Sequence, residues 1–414
     1  MSRPARRTLK QLEASLRARL HRHLRNLGYS KLKDGTLQKP EISKESFRAL
    51  HAQQRKARFD EEKVFVRNRL PELVGHFASG SEIRPEAIAP ELELVASDSW
   101  QSDLFRLATL TWSVPVSQGY GRRMRFLVWD RSNSKLIGII ALGDPVFNLR
   151  VRDALIGWDV EARKERLVNI MDAYVLGAIP PYNALLGGKL VASLVRSLEV
   201  RNVFRTRYGL CRGIISKQEK NASLVMVTTS SALGRSAVYN RLVLDKVNYM
   251  ESIGFTSGWG HFHIPDKLFS DMRSYLKRRR HAYSNNHQFG NGPNWRFRAV
   301  REVLSSIGVN PSLLLHGISR EVFVSRLAKN AEAVLLGEAK RPNWSGLLSV
   351  DDVSEKAISR WIVPRAQRRP EFAQWNREMT RSLLERFSQG QVGAATDRAD
   401  SSPLPTEFAA ATNE

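Results

Sequence analysis

Residues 272–301 combine cations and aromatic rings in a pattern that suits contact with a nucleic acid. The segment holds eight Lys and Arg side chains and neither Asp nor Glu. Cations neutralise phosphates, and rings such as Tyr275, Tyr283, Phe289 and Phe297 can stack on unpaired bases. A solvated helix end with rings that anchor a loop is the alternative, but the lack of acids favours nucleic-acid contact. The side chains predicted to bind are Lys277, Arg278, Arg279, Arg280, Trp295, Arg296 and Arg298.

A second candidate is the turn in LVMVTTSSALGRSAVYNRL, residues 224–242. The pattern predicts a strand, a turn and then a helix, and hydroxyl groups beside a glycine suit a bound phosphate or carboxylate. A serine that caps the helix would explain the serines and the glycine. It would not explain two arginines near a helix start, because cations are unfavourable there unless an anion is present. Capping and anion binding both stay open, and the predicted anion-binding residues are Ser230, Ser231, Gly234, Arg235 and Arg241.

A third candidate is the stretch AIPPYNALLGGKL, which follows a predicted strand and opens a predicted helix. Gly187 and Gly188 stand at the start of that helix. Glycines at this place let backbone N–H groups approach a pyrophosphate, and the helix dipole favours its charge. The two glycines are therefore candidate cofactor-binding residues.

Carboxylates near the ends of predicted strands form a fourth candidate. Asp144 follows a hairpin strand, Asp153 and Asp159 lie in RDALIGWD, and Asp172 begins the next strand. Two or three such acids can bind Mg²⁺ for phosphoryl transfer, whereas aspartates more often form turns and cap helices. His261 and His263 alternate on a presumed strand without a nearby third ligand, so we predict no metal there.

The elements that carry these side chains predict an α/β (α+β) fold with a central mixed sheet and flanking helices. From about Leu92, short β-rich runs alternate with helical patterns. FRLATLTWSVPV and RRMRFLVWD are predicted strands, and RSNS turns the second into KLIGIIALGDP as a hairpin. The predicted regions are 1–91, a basic helical N-terminal region; 92–270, the α/β core; 271–389, a basic helical C-terminal region; and 390–414, a disordered tail.

Charge is concentrated near the N-terminus as well. Leucines three or four positions apart, from Leu9 to Leu27, predict an amphipathic helix with arginines on its polar side. Residues 1–60 hold 16 Lys and Arg against 5 Asp and Glu, out of a net charge of +24 for all 414 residues. An excess of this size indicates a polyanionic partner.

Other sequence features indicate a cytoplasmic protein with no membrane contact. Cys211 is the single cysteine, which excludes an internal disulfide and suits a reducing compartment. The basic N-terminus has no apolar stretch behind it, so we predict no signal peptide. Apolar runs are too short to span a bilayer.

The central part resembles the Gcn5-related acetyltransferase fold. The resemblance rests on AIPPYNALLGGKL and on NYMESIGF, in which Tyr249 precedes Gly254 and Phe255 at a presumed helix end. It implies an acyl-CoA site at Gly187 and Gly188, with Tyr249 as a general acid. The sequence departs from that family at Asn183, where arginine or glutamine is usual, and at Leu186, where a phosphate-binding glycine is usual.

Several longer phrases resemble the DruA family of the Druantia bacterial anti-phage defence system. They are LIGIIALGDPVFNLRVRDALIGWD, RKERLVNIMDAYVLGAIPPYNALLGGKLVASL, VTTSSALGRSAVYNRL, GFTSGWGHFHIPD and NWRFRAVREVLSSIGVN with the LLLHGISREVFVSRLA that follows it. They run from about residue 100 to 340. The resemblance implies a role in phage defence beside other proteins of the system, including a large helicase-like component, and assigns no catalytic residues.

Taken together, the sequence predicts a subunit of a Druantia-type anti-phage system that binds DNA or RNA and needs no cofactor. Two enzymatic alternatives stay open. One is acyl transfer from a CoA thioester with Tyr249, and the other is Mg²⁺-dependent cleavage of nucleic acid with Asp144, Asp153 and Asp159. Acyl transfer requires splayed strands that are open to CoA at Gly187, and cleavage requires the aspartates to converge on one metal ion.

Overall fold

The computed structural model describes residues 8–26, 29–31, 37–38, 44–112, 114, 116, 119–212, 219–232, 234–257, 264–284, 293–314 and 319–385. The chain forms two compact units, each made of separate stretches of sequence. Unit 1 comprises Met1–Gln54 and Thr256–Arg320, and unit 2 comprises Arg55–Phe255 and Glu321–Glu414.

The helices of the described part account for much of both units. In chain order they are α1 (Leu9–Asn26), α2 (Lys44–Leu73), α3 (Trp100–Thr109), α4 (Arg150–Ile156), α5 (Val160–Arg166), α6 (Gly187–Leu194), α7 (Leu198–Tyr208), α8 (Asp266–Arg278), α9 (Pro293–Ser306), α10 (Ala331–Leu336), α11 (Val350–Ala357), α12 (Val363–Arg368) and α13 (Arg377–Glu385). A π-helical turn, Ile358–Ile362, joins α11 to α12. Pro364 lacks the N–H that an α-helix would donate to the carbonyl of Arg360, which favours the wider turn.

The strands of the described residues form one large sheet and three small antiparallel pairs, called hairpins below. In chain order they are β1 (Ser30–Lys31), β2 (Leu37–Gln38), β3 (Pro90–Leu94), β4 (Arg123–Asp130), β5 (Lys135–Gly143), β6 (Ile170–Ala178), β7 (Leu210–Arg212), β8 (Glu219–Asn221), β9 (Met226–Ser230), β10 (Val243–Leu244), β11 (Val247–Asn248), β12 (Glu251–Phe255) and β13 (Glu321–Arg326). The large sheet has the order β12-β13-β9-β6-β5-β4-β3, and the hairpins pair β1 with β2, β7 with β8 and β10 with β11.

The large sheet is mixed and lies at the centre of unit 2. Neighbouring strands are antiparallel except β6 and β9, which run parallel. Buried apolar side chains cover both faces, and the apolar run of β5 is buried almost throughout. The predicted fold class, a mixed sheet flanked by helices, is confirmed.

The parallel pair of strands separates soon after it forms. Strand β6 pairs with β9 only from Ile170 to Asp172. Beyond that point β6 stays paired with β5, and β9 stays paired with β13. A gap therefore opens between the two strands in the middle of the sheet.

Unit 1 has its own apolar core, to which α1, α8 and α9 contribute. Leu16, Leu20 and Leu24 of α1 are buried, as the leucine spacing predicts. They pack in one cluster with side chains of α8 and α9, which lie more than 240 positions later in the chain. The N-terminal helix is thus a structural part of unit 1.

Several sequence predictions of secondary structure are wrong. The first five residues of the predicted strand FRLATLTWSVPV, 105–109, belong to helix α3, and NYMESIGF contains β12 where a helix end was predicted. Turns follow β9 in place of the predicted helix. Within the region predicted to be helical to residue 389, Glu321–Arg326 forms a strand between β12 and β9.

The compact units also group the chain differently from the four regions predicted from sequence, whose boundaries stay a prediction. The reason is β13, which returns the chain to the sheet of unit 2 after residues 256–320. His261, His263 and the predicted tail at 390–414 lie outside the described residues. Of the described helices, none has both the length and the apolar character needed to cross a membrane.

Candidate nucleic-acid interface

Charge is divided unequally between the two units. Unit 1 contains 23 Lys and Arg against 7 Asp and Glu, a net of +16 out of the +24 carried by the whole chain. Unit 1 has 119 of the 414 residues. The electrostatic attraction for a polyanion therefore originates mainly in this smaller unit.

The C-terminal end of α8 presents four consecutive cations. Lys277, Arg278, Arg279 and Arg280 are all exposed. Arg280 follows the helix in the left-handed conformation, with φ of 55°, and its N–H donates to the carbonyl of Lys277. Helices commonly end in a left-handed residue, but glycine is the usual choice because it has no Cβ. Arg280 therefore adds a positive charge at a position whose backbone conformation glycine would adopt more easily.

Arg279 of this group has structural partners within unit 1. Its Nη1 donates to Ser306 Oγ of α9, and to the hydroxyl of Tyr275 at 3.4 Å. Tyr275 in turn donates to Glu13 of α1 at 2.7 Å. Arg279 therefore helps to connect α1, α8 and α9, in addition to its charge.

Arg298 and Arg301 add exposed cations on α9. They are three residues apart, so they lie on one face of the helix. Sequence reasoning included Arg301 in the basic segment but omitted it from the predicted binding residues. The helical spacing from Arg298 is the signal that would have found it.

Trp295 and Arg296 point into unit 1, contrary to the prediction that they face a nucleic acid. Trp295 is 6% exposed, and its Nε1 donates to the carbonyl of Tyr283 at 3.0 Å. The guanidinium of Arg296 lies 4.6 Å from the centre of the Phe269 ring. Because α9 turns these side chains toward α8, they stabilise the core, and the indole of Trp295 is not available to stack on a base.

The turn after β9 in unit 2 encloses a carboxylate of the chain itself. Glu321, at the start of β13, is 6% exposed. Its carboxylate accepts hydrogen bonds from the backbone N–H of Ser236 at 3.2 Å, from Ser252 Oγ at 2.8 Å and from the Asn240 amide at 3.4 Å. Its backbone N–H donates to the carbonyl of Gly234, whose φ is 82°.

This arrangement accounts for most of the predicted anion-binding turn. The N–H of Ser231 donates to the carbonyl of Glu321, so the turn is built around that residue. Ser230 is the last residue of β9, and since no helix follows, neither serine is a helix cap. Arg235 and Arg241 are exposed and belong to the outside of the turn.

Tyr239 fills the gap between the diverging strands β6 and β9. Its hydroxyl donates to the carbonyl of Leu176 at 3.1 Å, and its ring packs edge-on against Phe323 at 5.4 Å. Burial raises the pKa of this hydroxyl to about 12. Thr229 also spans the gap, since its hydroxyl donates to the carbonyl of Ala173 at 2.8 Å. The space predicted for a CoA arm is therefore occupied by side chains of the protein.

The two glycines predicted to bind a pyrophosphate are packed against other residues of unit 2. A Cβ on Gly187 would lie 2.5 Å from the carbonyl oxygen of Tyr182, so the backbone needs glycine there for packing. Gly188 lies near Val238 of the turn after β9. Leu186 is left-handed, with φ of 60°, and packs on the core. Tyr249 is 1% exposed, with burial raising its pKa, and Arg196 lies over its ring at 5.2 Å.

Each predicted catalytic aspartate has a structural partner. Asp144 accepts from Arg122 Nε at 2.7 Å, and Asp153 pairs with both Arg152 and Arg163. Asp159 caps α5 by accepting from the Ala162 N–H at 2.7 Å. Within the described residues, no three or more His, Cys, Asp or Glu side chains are grouped so that they could hold a metal ion. The aspartates therefore do not converge as nucleic-acid cleavage would require.

Comparison with known proteins identifies the family. The sequence model of the family described as "Druantia protein DruA" matches residues 41–337. A protein of Escherichia coli (strain UMEA 4076-1) named "Druantia protein DruA" is 54% identical over 363 residues, which cover 88% of this chain and 90% of that protein. No solved structure matches. A family match over more than half of the chain, together with this identity, shows that the chain belongs to the DruA family of Druantia proteins.

Proposed function

We propose that the chain is a nucleic-acid-binding subunit of a Druantia-type anti-phage defence system and acts in the cytoplasm. The observation that carries the proposal is the concentration of charge in unit 1, with exposed cations at the end of α8 and on α9. Family membership supports the defence role. The partners we expect are DNA or RNA and other proteins of the system, including a helicase-like subunit. The proposal requires neither a metal ion nor a cofactor.

Binding on this surface is expected to depend mainly on phosphates. Lys277, Arg280 and Arg301 are exposed, and among the described residues none of the three forms an ion pair with a carboxylate. Such side chains neutralise backbone phosphates and displace counterions, so affinity falls as salt rises. Since Trp295 is buried, base stacking is not expected to contribute through it.

The test is the salt dependence of binding to single-stranded and duplex DNA, with RNA of the same length, by the full chain. The variant K277Q/R280Q/R301Q is expected to weaken binding and to reduce the slope of log K against log salt by about one for each lost phosphate contact. A matched control, K63Q/R207Q/K340Q, removes the same charge from exposed positions of unit 2.

Binding that weakens in the first variant and persists in the control would support a localised interface on unit 1. Equal weakening in both variants would mean that binding follows net charge alone. If the wild-type chain binds none of the three nucleic acids at low salt, the proposal is wrong.

A further inference from the structure

Lys189 of α6 lies near two exposed arginines of unit 2. Its ammonium Nζ is 3.4 Å from the carbonyl oxygen of Asn240, the residue before Arg241. It is also 5.5 Å from the centre of the ring of Trp361, the residue after Arg360. The turn after β9 and the π-helical turn thus place Arg241 and Arg360 next to residues that contact this ammonium group, and the charges of both arginines act on it.

The three cations are close enough for their charges to affect one another. The pKa of Lys189 is lowered by burial, and further by Arg360 and Arg241. Asp245, the carboxylate of the β10–β11 hairpin, forms a hydrogen bond with Lys356. In the described part of the chain, none of the three cations forms an ion pair with a carboxylate. Like charges held together in this way destabilise the protein unless an anion joins them.

The backbone holds two of these cations in unusual conformations. Arg241 is left-handed, with φ of 57°, which is strained for a residue other than glycine. Arg360 belongs to the π-helical turn that precedes Pro364. Residues 357–370 contain four arginines and no acid, so the positive surface continues along α12. One of them, Arg365, donates to the carbonyl of Ala184 at 3.2 Å, just before α6.

We propose that Lys189, Arg241 and Arg360 form a binding site for a phosphate group, supplied by a nucleic-acid backbone or by a nucleoside polyphosphate. Three side-chain cations from separate elements match the charge and the several acceptor oxygens of a phosphate. The site is on unit 2 and does not use the cations of α8 and α9. It extends the proposed function, and it does not depend on that function because a free nucleotide carries the same group.

The experiment measures how fast Lys189 reacts with an amine-acylating reagent at pH 8, read by peptide mass spectrometry of the full chain. A bound phosphate favours the charged ammonium, so acylation of Lys189 is expected to slow several-fold. Pyrophosphate, ATP and a short DNA duplex are added separately, each against sodium chloride of equal ionic strength. Acylation of Lys340, an exposed lysine of unit 2 outside the proposed nucleic-acid interface, serves as the internal reference.

Protection by pyrophosphate or ATP would identify a nucleotide site, and protection by the duplex alone would identify a backbone contact. In the variant R241Q/R360Q, protection should disappear. Protection by none of the three, or protection that survives in R241Q/R360Q, would overturn the proposal. The variant K277Q/R280Q/R301Q should keep the protection by pyrophosphate, so this result is independent of nucleic-acid binding by unit 1.

Discussion

At the residue scale, the carboxyl group of Asp172 has a pKa above the usual range for aspartate. It lies where β6 and β9 begin to diverge, and its carboxylate accepts from Thr228 Oγ1 at 2.7 Å. Burial raises its pKa from 3.8 to about 6, although Thr228 and Arg152 act in the opposite direction. The folded chain therefore holds a proton on Asp172 at pH values where the unfolded chain has lost it.

This shift gives a prediction for stability against pH. The stabilisation from the raised pKa is complete below pH 3.8 and is lost as the pH rises through about 6. Asp172→Asn keeps an acceptor for Thr228 and cannot ionise, so it is expected to raise the melting temperature at pH 8 relative to wild type. The gain corresponds to at most about 3 kcal/mol, because each pKa unit is worth about 1.4 kcal/mol.

The control is Asp144→Asn, which leaves Arg122 without its carboxylate and should lower the melting temperature at pH 8. Thermal unfolding of both variants at pH 5 and pH 8 checks the prediction. A loss of stability in Asp172→Asn at pH 8 would show that the site stabilises the ionised carboxylate instead.

Sequence reasoning at this scale found residues with suitable chemistry but not their partners. The turn after β9 does hold a carboxylate, through the N–H of Ser236 and the amide of Asn240, yet Glu321 lies about 90 positions further along the chain. Trp295 is a residue type that can stack on a base, but helix α9 directs its side chain into the core of unit 1. Exposure of the cations from Lys277 to Arg280 was predictable, because four consecutive charged residues cannot all be buried.

At the scale of elements, the end of α8 combines a strained backbone with a charged side chain. Arg280 is left-handed at the position where helices usually have glycine. Its charge is the feature that a glycine would not supply. If nucleic acid binds here as we propose, Arg280 contributes charge for binding at a cost to the stability of the helix end.

Arg280→Gly separates these two effects. The variant should unfold at the same or a higher denaturant concentration, with a gain of up to about 1 kcal/mol, because glycine adopts the left-handed conformation without strain. It should also bind DNA more weakly than wild type at moderate salt. Arg280→Gln removes the charge and keeps the strain, so it should show the weaker binding alone. If Arg280→Gly binds as tightly as wild type, this arginine is not a phosphate contact.

Secondary structure was predicted best where the periodic pattern was long. The leucine repeat of α1 and the β4–β5 hairpin were predictable from their sequences. Strand β13 was missed, although Val322, Phe323 and Val324 are typical of a strand. A short apolar run between helical segments is ambiguous until its sheet partners, β9 and β12, are known.

At the scale of the whole molecule, α1 and residues 256–320 are expected to fold together. Leu20 is fully buried in a cluster with side chains of α8 and α9. Leu20→Ala should therefore destabilise unit 1 by about 2–5 kcal/mol. Amide hydrogen exchange should become faster in α8 and α9 and stay unchanged in β4 and β5. The control R22Q/R25Q removes exposed charge from α1 and should leave exchange unchanged. Faster exchange in β4 and β5 of Leu20→Ala would mean that the units unfold as one.

The return of the chain through β13 has a practical consequence. Phe255 and Glu321 are paired neighbours on antiparallel strands, so the 65 residues between them begin and end at the same place. A short turn could join β12 to β13 directly and convert them into an ordinary hairpin. Such a shortened chain, begun at residue 55, would lose two thirds of the net charge while keeping every strand of the large sheet.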